Sequence, residues 1–167
     1  MKRVINLADV NIKPRPQSFA ATSDTAQRFD AARGEIGREI GATRLGYNLT
    51  VVPAGKSAFP FHNHHVNEEM FLILEGSGEL RVGSEVTAIK QNDVIACPPG
   101  GPELAHQITN NGQTDLKYLA VSTLESPEYV EYPDSGKFGV YGKRTDSDED
   151  IHYIGRASGA VDYWDGE

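Results

Sequence analysis

From Arg44 onward the chain runs in short stretches rich in Val, Ile, Leu and aromatic residues, broken at close intervals by turn residues. Strands separated by turns leave that pattern, and their alternating positions put one face on a core and the other in solvent. It predicts strands near residues 46–52, 59–64, 69–75, 78–82, 85–89, 93–97, 105–109 and 116–123. The turns have local causes at Pro53 to Gly55, Gly76 to Gly78, Gly83 with Ser84, Gln91 to Asp93, and Asn110 to Gly112. Short strands packed this closely should close into a barrel or jelly-roll sandwich, which hides the sheet edges. The fold class expected is all-β.

The flanks follow other patterns. Residues 1–43 read as an arm, with a short strand near Val4 to Leu7 and a helix from Thr25 to Arg33. In that helix Ala26, Phe29 and Ala32 or Arg33 share a face, Ser23 or Asp24 caps the start, and Gly34 ends it. Residues 44–124 form the expected barrel. Residues 125–167 carry Pro127, Pro133, Gly136 and an acidic cluster at Asp146, Asp148, Glu149 and Asp150. Five of the seven tyrosines and the single tryptophan also lie beyond residue 123. A disordered tail would be poor in aromatics, so this extension should pack on the barrel or on a second subunit.

Charge narrows the partners. The net charge is -8, and it is uneven: residues 1–124 hold 13 acids and 12 bases, residues 125–167 hold 11 and 4. No basic stripe is present to neutralise phosphates, which disfavours nucleic acid and anionic membranes. A small-molecule substrate is the expected partner. Cys97 is the sole cysteine, so no intramolecular disulfide can form, and a reducing compartment is the simplest assumption. Nothing near Met1 has the apolar run of a signal peptide, and nowhere do about 18 apolar residues stand together. The expected location is cytoplasmic.

Histidines supply the chemistry. Three of the five, His62, His64 and His65, fall within four positions, Glu68 and Glu69 follow, and His106 lies beyond further strands. Imidazoles and a carboxylate so gathered are what a divalent metal needs. In a strand, His62 and His64 share a face, and Glu69, Phe71 and Ile73 line a face of the next strand. Parity turns His65 away from His64, and Glu68 away from Glu69, leaving both as lesser candidates.

At these residues the chain resembles the cupin superfamily. Gly55, His62, His64, Glu69 and Gly76 resemble its first motif; Asp93, Pro98, Gly100, His106 and Asn110 resemble its second. The resemblance covers roughly residues 44–124 and implies a double-stranded β-helix, or jelly-roll barrel, with the flanks as extensions. It implies one divalent metal ion (Zn, Mn, Fe or Ni) held by His62, His64, Glu69 and His106. Two spacings depart from the family. Six residues separate Gly55 from His62, one more than usual, and GPELA puts five between Gly100 and His106, where two are usual.

The resemblance also bounds the function, since cupins include sugar-phosphate isomerases and epimerases, oxygenases, decarboxylases and non-catalytic binders. The leading expectation is a small metalloenzyme isomerising a sugar-like or hydroxy/keto metabolite. The alternatives are a metal-dependent dioxygenase and a small-molecule binder. An isomerase needs a proton carrier beside the metal, for which Glu68, Tyr118, Glu103 and Lys56 are candidates. Cys97 is expected to be a buried packing residue, the Gly76 to Gly78 run a hairpin turn instead of a phosphate loop, and His152 exposed or structural. Arm and tail could each cross to a neighbouring barrel, so a homodimer is expected.

Overall fold

Strand β10 (Leu116–Thr123) shows how alternation builds this molecule: Leu116, Tyr118 and Ala120 are buried, whereas Lys117, Leu119 and Val121 are only half-buried. The computed structural model describes residues 2–144 and 150–167. The other strands are β1 (Lys13–Pro14), β2 (Ala32–Glu35), β3 (Leu45–Val52), β4 (Asn63–His64), β5 (Glu69–Glu75), β6 (Ser77–Val82), β7 (Glu85–Lys90), β8 (Val94–Cys97), β9 (His106–Thr109), β11 (Glu128–Tyr132), β12 (Lys137–Lys143) and β13 (Asp150–Gly155). The fold is all-β, as expected, and seven of the eight predicted strands lie within two residues of their expected ends. The run from Phe59 to His64 is the exception. Only Asn63–His64 forms a strand there, because Pro60 has no N–H to give to a ladder.

One sheet has the order β1, β2, β3, β10, β5, β8. The opposing layer consists of β7, β6, β9 and of β13, β12, β11, β4. These two groups meet where His62 and His106 exchange backbone hydrogen bonds, of 3.2 Å and 2.7 Å. The result is a jelly-roll sandwich, not a barrel with continuous pairing. Its core lies between the layers and includes Phe71, Ile73, Ile95 and Tyr118 from one side and Ile89 and Ile108 from the other. Cys97 belongs to this core, and burial, then the charge of Glu69, pushes its thiol up to about 12. It is a packing residue, as expected.

The flanks are built into both layers. The expected helix from Thr25 to Arg33 shrinks to α1 (Ser23–Ala26), and Ala32–Glu35 instead joins β3 as strand β2. Pairing along a waiting edge overrides a weak local helix preference. Gly34 therefore sits inside a strand instead of ending a helix, and a Cβ there would run into Val10. A second short helix, α2 (Gly37–Ile40), ends at Gly41 in the left-handed conformation (φ 81°). No strand forms at Val4 to Leu7; a 3-10 turn occupies Leu7–Asp9. From the arm, Ile5, Leu7, Val10, Ile12 and Ile36 cover Leu49 and Leu119 on the back of the large sheet. At the other end, β11 pairs with β4, so the C-terminal extension continues the sheet that carries His64. In the acidic cluster Asp146, Asp148 and Glu149 lie outside the described residues, and Asp150 is exposed on β13.

Candidate metal centre

His62 and His64 flank Asn63 on one short extended run, so their side chains share a face. A turn through His65 to Asn67 then brings Glu69, the first residue of β5, back beside them. Ligand atoms of His62, His64 and Glu69 lie within 4.8 Å of one another. The Oε2 atom of Glu69 is 3.4 Å from His64 Nε2 and 3.8 Å from His62 Nε2. His106 reaches the same oxygen from β9, its Nε2 donating to Glu69 Oε2 at 3.0 Å. Three of the four residues named from the sequence thus gather at one point, and His106 joins them through Glu69. The lengthened GPELA loop does not displace His106. It folds as a 3-10 turn at Pro102–Leu104, and Gly100 is pinned to the ligand run through its N–H to His64 O (2.8 Å) and its carbonyl to Asn63 Nδ2 (2.7 Å).

Each imidazole has its own electrostatic setting. Burial, reinforced by His106, lowers His62 to about 4, so it is neutral at pH 7. Its Nδ1 donates to Pro60 O at 2.8 Å, which leaves the Nε2 lone pair facing Glu69. Burial also works to lower His64, but the close contact and charge of Glu69, then of Glu128, outweigh it and raise that pKa. For Glu69 burial favours the neutral acid, yet His106 and His64 hold it below the usual carboxylate range. Both nitrogens of His64 are buried and neither makes a well-formed hydrogen bond, the facing oxygens being Glu69 Oε2 at 3.4 Å and Glu128 Oε2 at 3.5 Å. Such a group is costly unless something else fills its bonding capacity. A cation would: the carboxylates that favour a charged His64 equally favour a metal at its Nε2. Two imidazoles and a carboxylate are also donors that Zn, Mn, Fe and Ni accept. The residues present fit a divalent metal.

The cluster opens into a cavity of about 200 Å3 that Phe71 and Tyr118 also line. A larger cleft, about 750 Å3, continues outward past Arg33, Glu128, Tyr132 and Tyr141. Of the four proton-carrier candidates, Tyr118 alone lines the cavity. Burial, then the charge of Glu69, holds its hydroxyl well above the ordinary value, so it keeps its proton. The others stand elsewhere. Glu68 is exposed, with its backbone N–H on Thr123 Oγ1. Glu103 Oε1 accepts from Gly101 N–H on the loop. Lys56 Nζ donates to Ala26 O (3.0 Å) and Gln27 O (2.8 Å) and ties down the arm. His65 faces outward and pairs with Glu131 at 3.0 Å.

Sequence reasoning missed Arg33 and Glu128. Arg33 was assigned to a helix, and it reaches the cavity because β2 pairs it with Thr50 of β3. Glu128 had a signal in the text: Glu128, Val130 and Tyr132 alternate, and the first two are buried. Asn110, the last residue of the second motif, is fully buried and ties loops together, donating to Val52 O and Thr114 O at 2.8 Å each.

A jelly-roll sandwich with a histidine and carboxylate cluster between its layers is the architecture of the cupins. Residues 48–122 match the family model described as Cupin domain. Over 72 residues the chain is 38% identical to an uncharacterized protein of Methanocaldococcus jannaschii; the match takes in 43% of this chain and 54% of the relative. The chain thus spans about half the length of that relative. Among solved structures, a sugar phosphate isomerase from a cupin superfamily, from Silicibacter pomeroyi, aligns with a TM-score of 0.78 at 18% identity, covering 94% of each chain. The polyketide cyclase RemF of Streptomyces resistomycificus aligns with a TM-score of 0.59 at 20% identity, covering 77% of this chain and 84% of the other. At such identities the fold is what they share.

Proposed function

We propose that this chain is a metal-binding cupin and a small-molecule metalloenzyme, an isomerase of sugar-like or hydroxy/keto metabolites. One observation carries the reading: His62, His64 and Glu69 converge within 4.8 Å, and His64 Nε2, buried and without a well-formed hydrogen bond, faces the carboxylate at 3.4 Å. His62, His64 and Glu69 would hold the ion, with His106 completing the set through its contact with Glu69. When bound, a divalent metal supplies Lewis acidity toward a carbonyl or hydroxyl pair.

The chain's own groups supply the rest. Tyr118 keeps its proton and can donate a hydrogen bond to a substrate oxygen in the cavity. Phe71 and Ala120 give that cavity an apolar wall that keeps water away. Arg33, about half-exposed beside Glu35 at 3.2 Å, sets a guanidinium at the mouth, suited to an anionic substituent such as a phosphate. The Silicibacter pomeroyi relative bears the name of a sugar phosphate isomerase, which supports this class of substrate. We also propose a homodimer, in which a second copy covers Val161, Tyr163 and Trp164, all more than 70% exposed; light scattering showing a monomer would remove it.

The test is elemental analysis of purified protein, followed by turnover of a panel of aldoses, ketoses and their phosphates by the metal-loaded form. Bound metal with isomerisation of at least one member supports the reading. Protein that takes up no metal under any loading condition overturns it. Metal without turnover moves the chain to the binders, and oxygen consumption with iron but not zinc moves it to the dioxygenases.

A further inference from the structure

The two ligand histidines of the β4 run are oriented by different devices. His62 hands its Nδ1 proton to a peptide carbonyl, Pro60 O, at 2.8 Å. His64 has no carbonyl in that place. Its Nδ1 faces the carboxylate of Glu128, whose Oε2 is 3.5 Å away. Glu128 comes from β11, beyond the segment 48–122 that matches the cupin model.

Its carboxylate is held with unusual thoroughness. Oε1 accepts from the backbone N–H groups of His65 and Val66, both at 3.2 Å. Oε2 accepts from Asn67 N–H at 2.9 Å and from the Asn67 side-chain amide. Those three residues form the turn that connects His64 to Glu69. Asn67 is fastened in turn, its Oδ1 accepting from Thr123 Oγ1 (2.8 Å) and Glu125 N–H (2.7 Å). One buried side chain of the C-terminal extension therefore grips the loop between two candidate ligands and stands behind one of them. A ligating imidazole needs a partner at its other nitrogen to set tautomer and ring orientation, and a carboxylate partner also makes the ligand more basic.

We infer that Glu128 is a positioning residue of the metal centre, the outer carboxylate that holds His64 with Nδ1–H toward β11 and Nε2 toward the metal. The C-terminal extension is then part of the site and not an appendage to the domain. This role rests on the metal reading proposed above, and the two can fail separately.

The experiment is a zinc titration of the full chain with a competing chromophoric chelator, comparing wild type, Glu128→Gln and Asn67→Ala, with the melting temperature of each metal-free protein. Glu128→Gln should weaken zinc binding about 10- to 100-fold. Asn67→Ala loosens the same turn but leaves the carboxylate behind His64, and it should weaken zinc much less for a similar loss of melting temperature. Equal loss in both variants would show that Glu128 only stabilises the turn, and unchanged affinity in Glu128→Gln would also overturn the role. If Glu128→Gln does not fold, long-range proton–nitrogen NMR of the wild-type zinc form decides: His64 should carry its proton on Nδ1 and zinc on Nε2, and the reverse pattern refutes the proposal. Wild-type protein that takes up none of zinc, manganese, iron and nickel sinks the metal reading itself, and Glu128's role with it.

Discussion

His64 and His65 are neighbours in the chain and face opposite sides of the same sheet, each toward a glutamate of β11. On the outer side, His65 Nε2 meets Glu131 Oε2 at 3.0 Å and its ring lies 4.6 Å from that of Tyr129. Tyr129 OH donates to Glu131 Oε1 at 3.1 Å, and Asn63 Nδ2 adds a contact at 3.3 Å. That cluster pairs His65 closely with Glu131, although Asn63 Oδ1 beside it is buried without a hydrogen-bond partner. On the inner side, both nitrogens of His64 are buried without a well-formed hydrogen bond, 3.5 Å from Glu128 and 3.4 Å from Glu69, which is held in its charged form. Two histidines of the same local sequence thus differ in how closely a partner meets them, at 3.0 Å for His65 and at 3.4 and 3.5 Å for His64. A close pair at the surface stabilises the fold; a buried imidazole with only long contacts, inside a cavity, has capacity for a ligand.

The comparison can be broken most severely at the inner cluster. His62→Ala or Glu69→Ala should lower metal affinity by more than the ~100-fold that marks the upper end for outer partners, read by elemental analysis after dialysis. If either variant retains metal as the wild type does, the inner cluster is not the binding site. Arg33→Ala comes next and probes the mouth. It should raise KM for a phosphorylated substrate on the order of 10-fold, with little effect on its unphosphorylated counterpart; equal effects on both would contradict an anion-binding role.

A pH titration of the metal-free protein sharpens the same contrast. The folded-state pKa of His62 lies near 4, below its ordinary value near 6.5. Between those values the unfolded chain binds the extra proton, so stability should fall as pH drops through this window, by up to ~3 kcal/mol. His64, whose pKa is raised, acts the other way: its contribution is complete below its unfolded value and is lost only as pH rises past the folded one. Glu69, held low, contributes above the ordinary carboxylate pKa and loses that contribution below it. Denaturant midpoints that stay flat from pH 6.5 to 4 would contradict the neutral, buried assignment of His62.

Smaller effects belong to the outer cluster and the core thiol. His65→Ala, removing a pair whose side chains are 34% and 28% exposed, should cost about 1 kcal/mol or less and leave metal affinity unchanged; a large loss of metal would erase the distinction between the two faces. Cys97 should resist thiol reagents in the native protein, because its thiolate is disfavoured and its side chain is in the core. Rapid labelling without unfolding would show that the core opens.

Much of this was legible before any coordinates. The strands from Leu45 to Thr123 follow from alternation and turn chemistry, since both are local. His62, His64 and Glu69 were found by strand parity and spacing, and His65 was set aside by the same rule. Arm and tail were less legible. Ala32–Glu35 has no apolar alternation of its own, and β3 makes it a strand by offering an edge. The expected helix there reflected a local propensity worth only a fraction of a kcal/mol per residue, too little to resist a ladder of hydrogen bonds. Three of the four proton-carrier candidates, Glu68, Glu103 and Lys56, stand away from the cavity, because residue type does not reveal what lines one.

The sequence by itself determined an all-β chain, the turns of its central strands and which ligands could share a face, because periodicity and backbone chemistry act over a few residues. Tertiary structure alone decided that His106, behind a lengthened loop, meets Glu69; that Arg33 and Glu128, from opposite ends of the chain, reach the centre; and that only Tyr118 of the proton carriers lines the cavity. Those outcomes depend on which strand edges find each other across the sheet. Such pairings are settled by burial and hydrogen bonding summed over the whole fold, and no short stretch of residues encodes them.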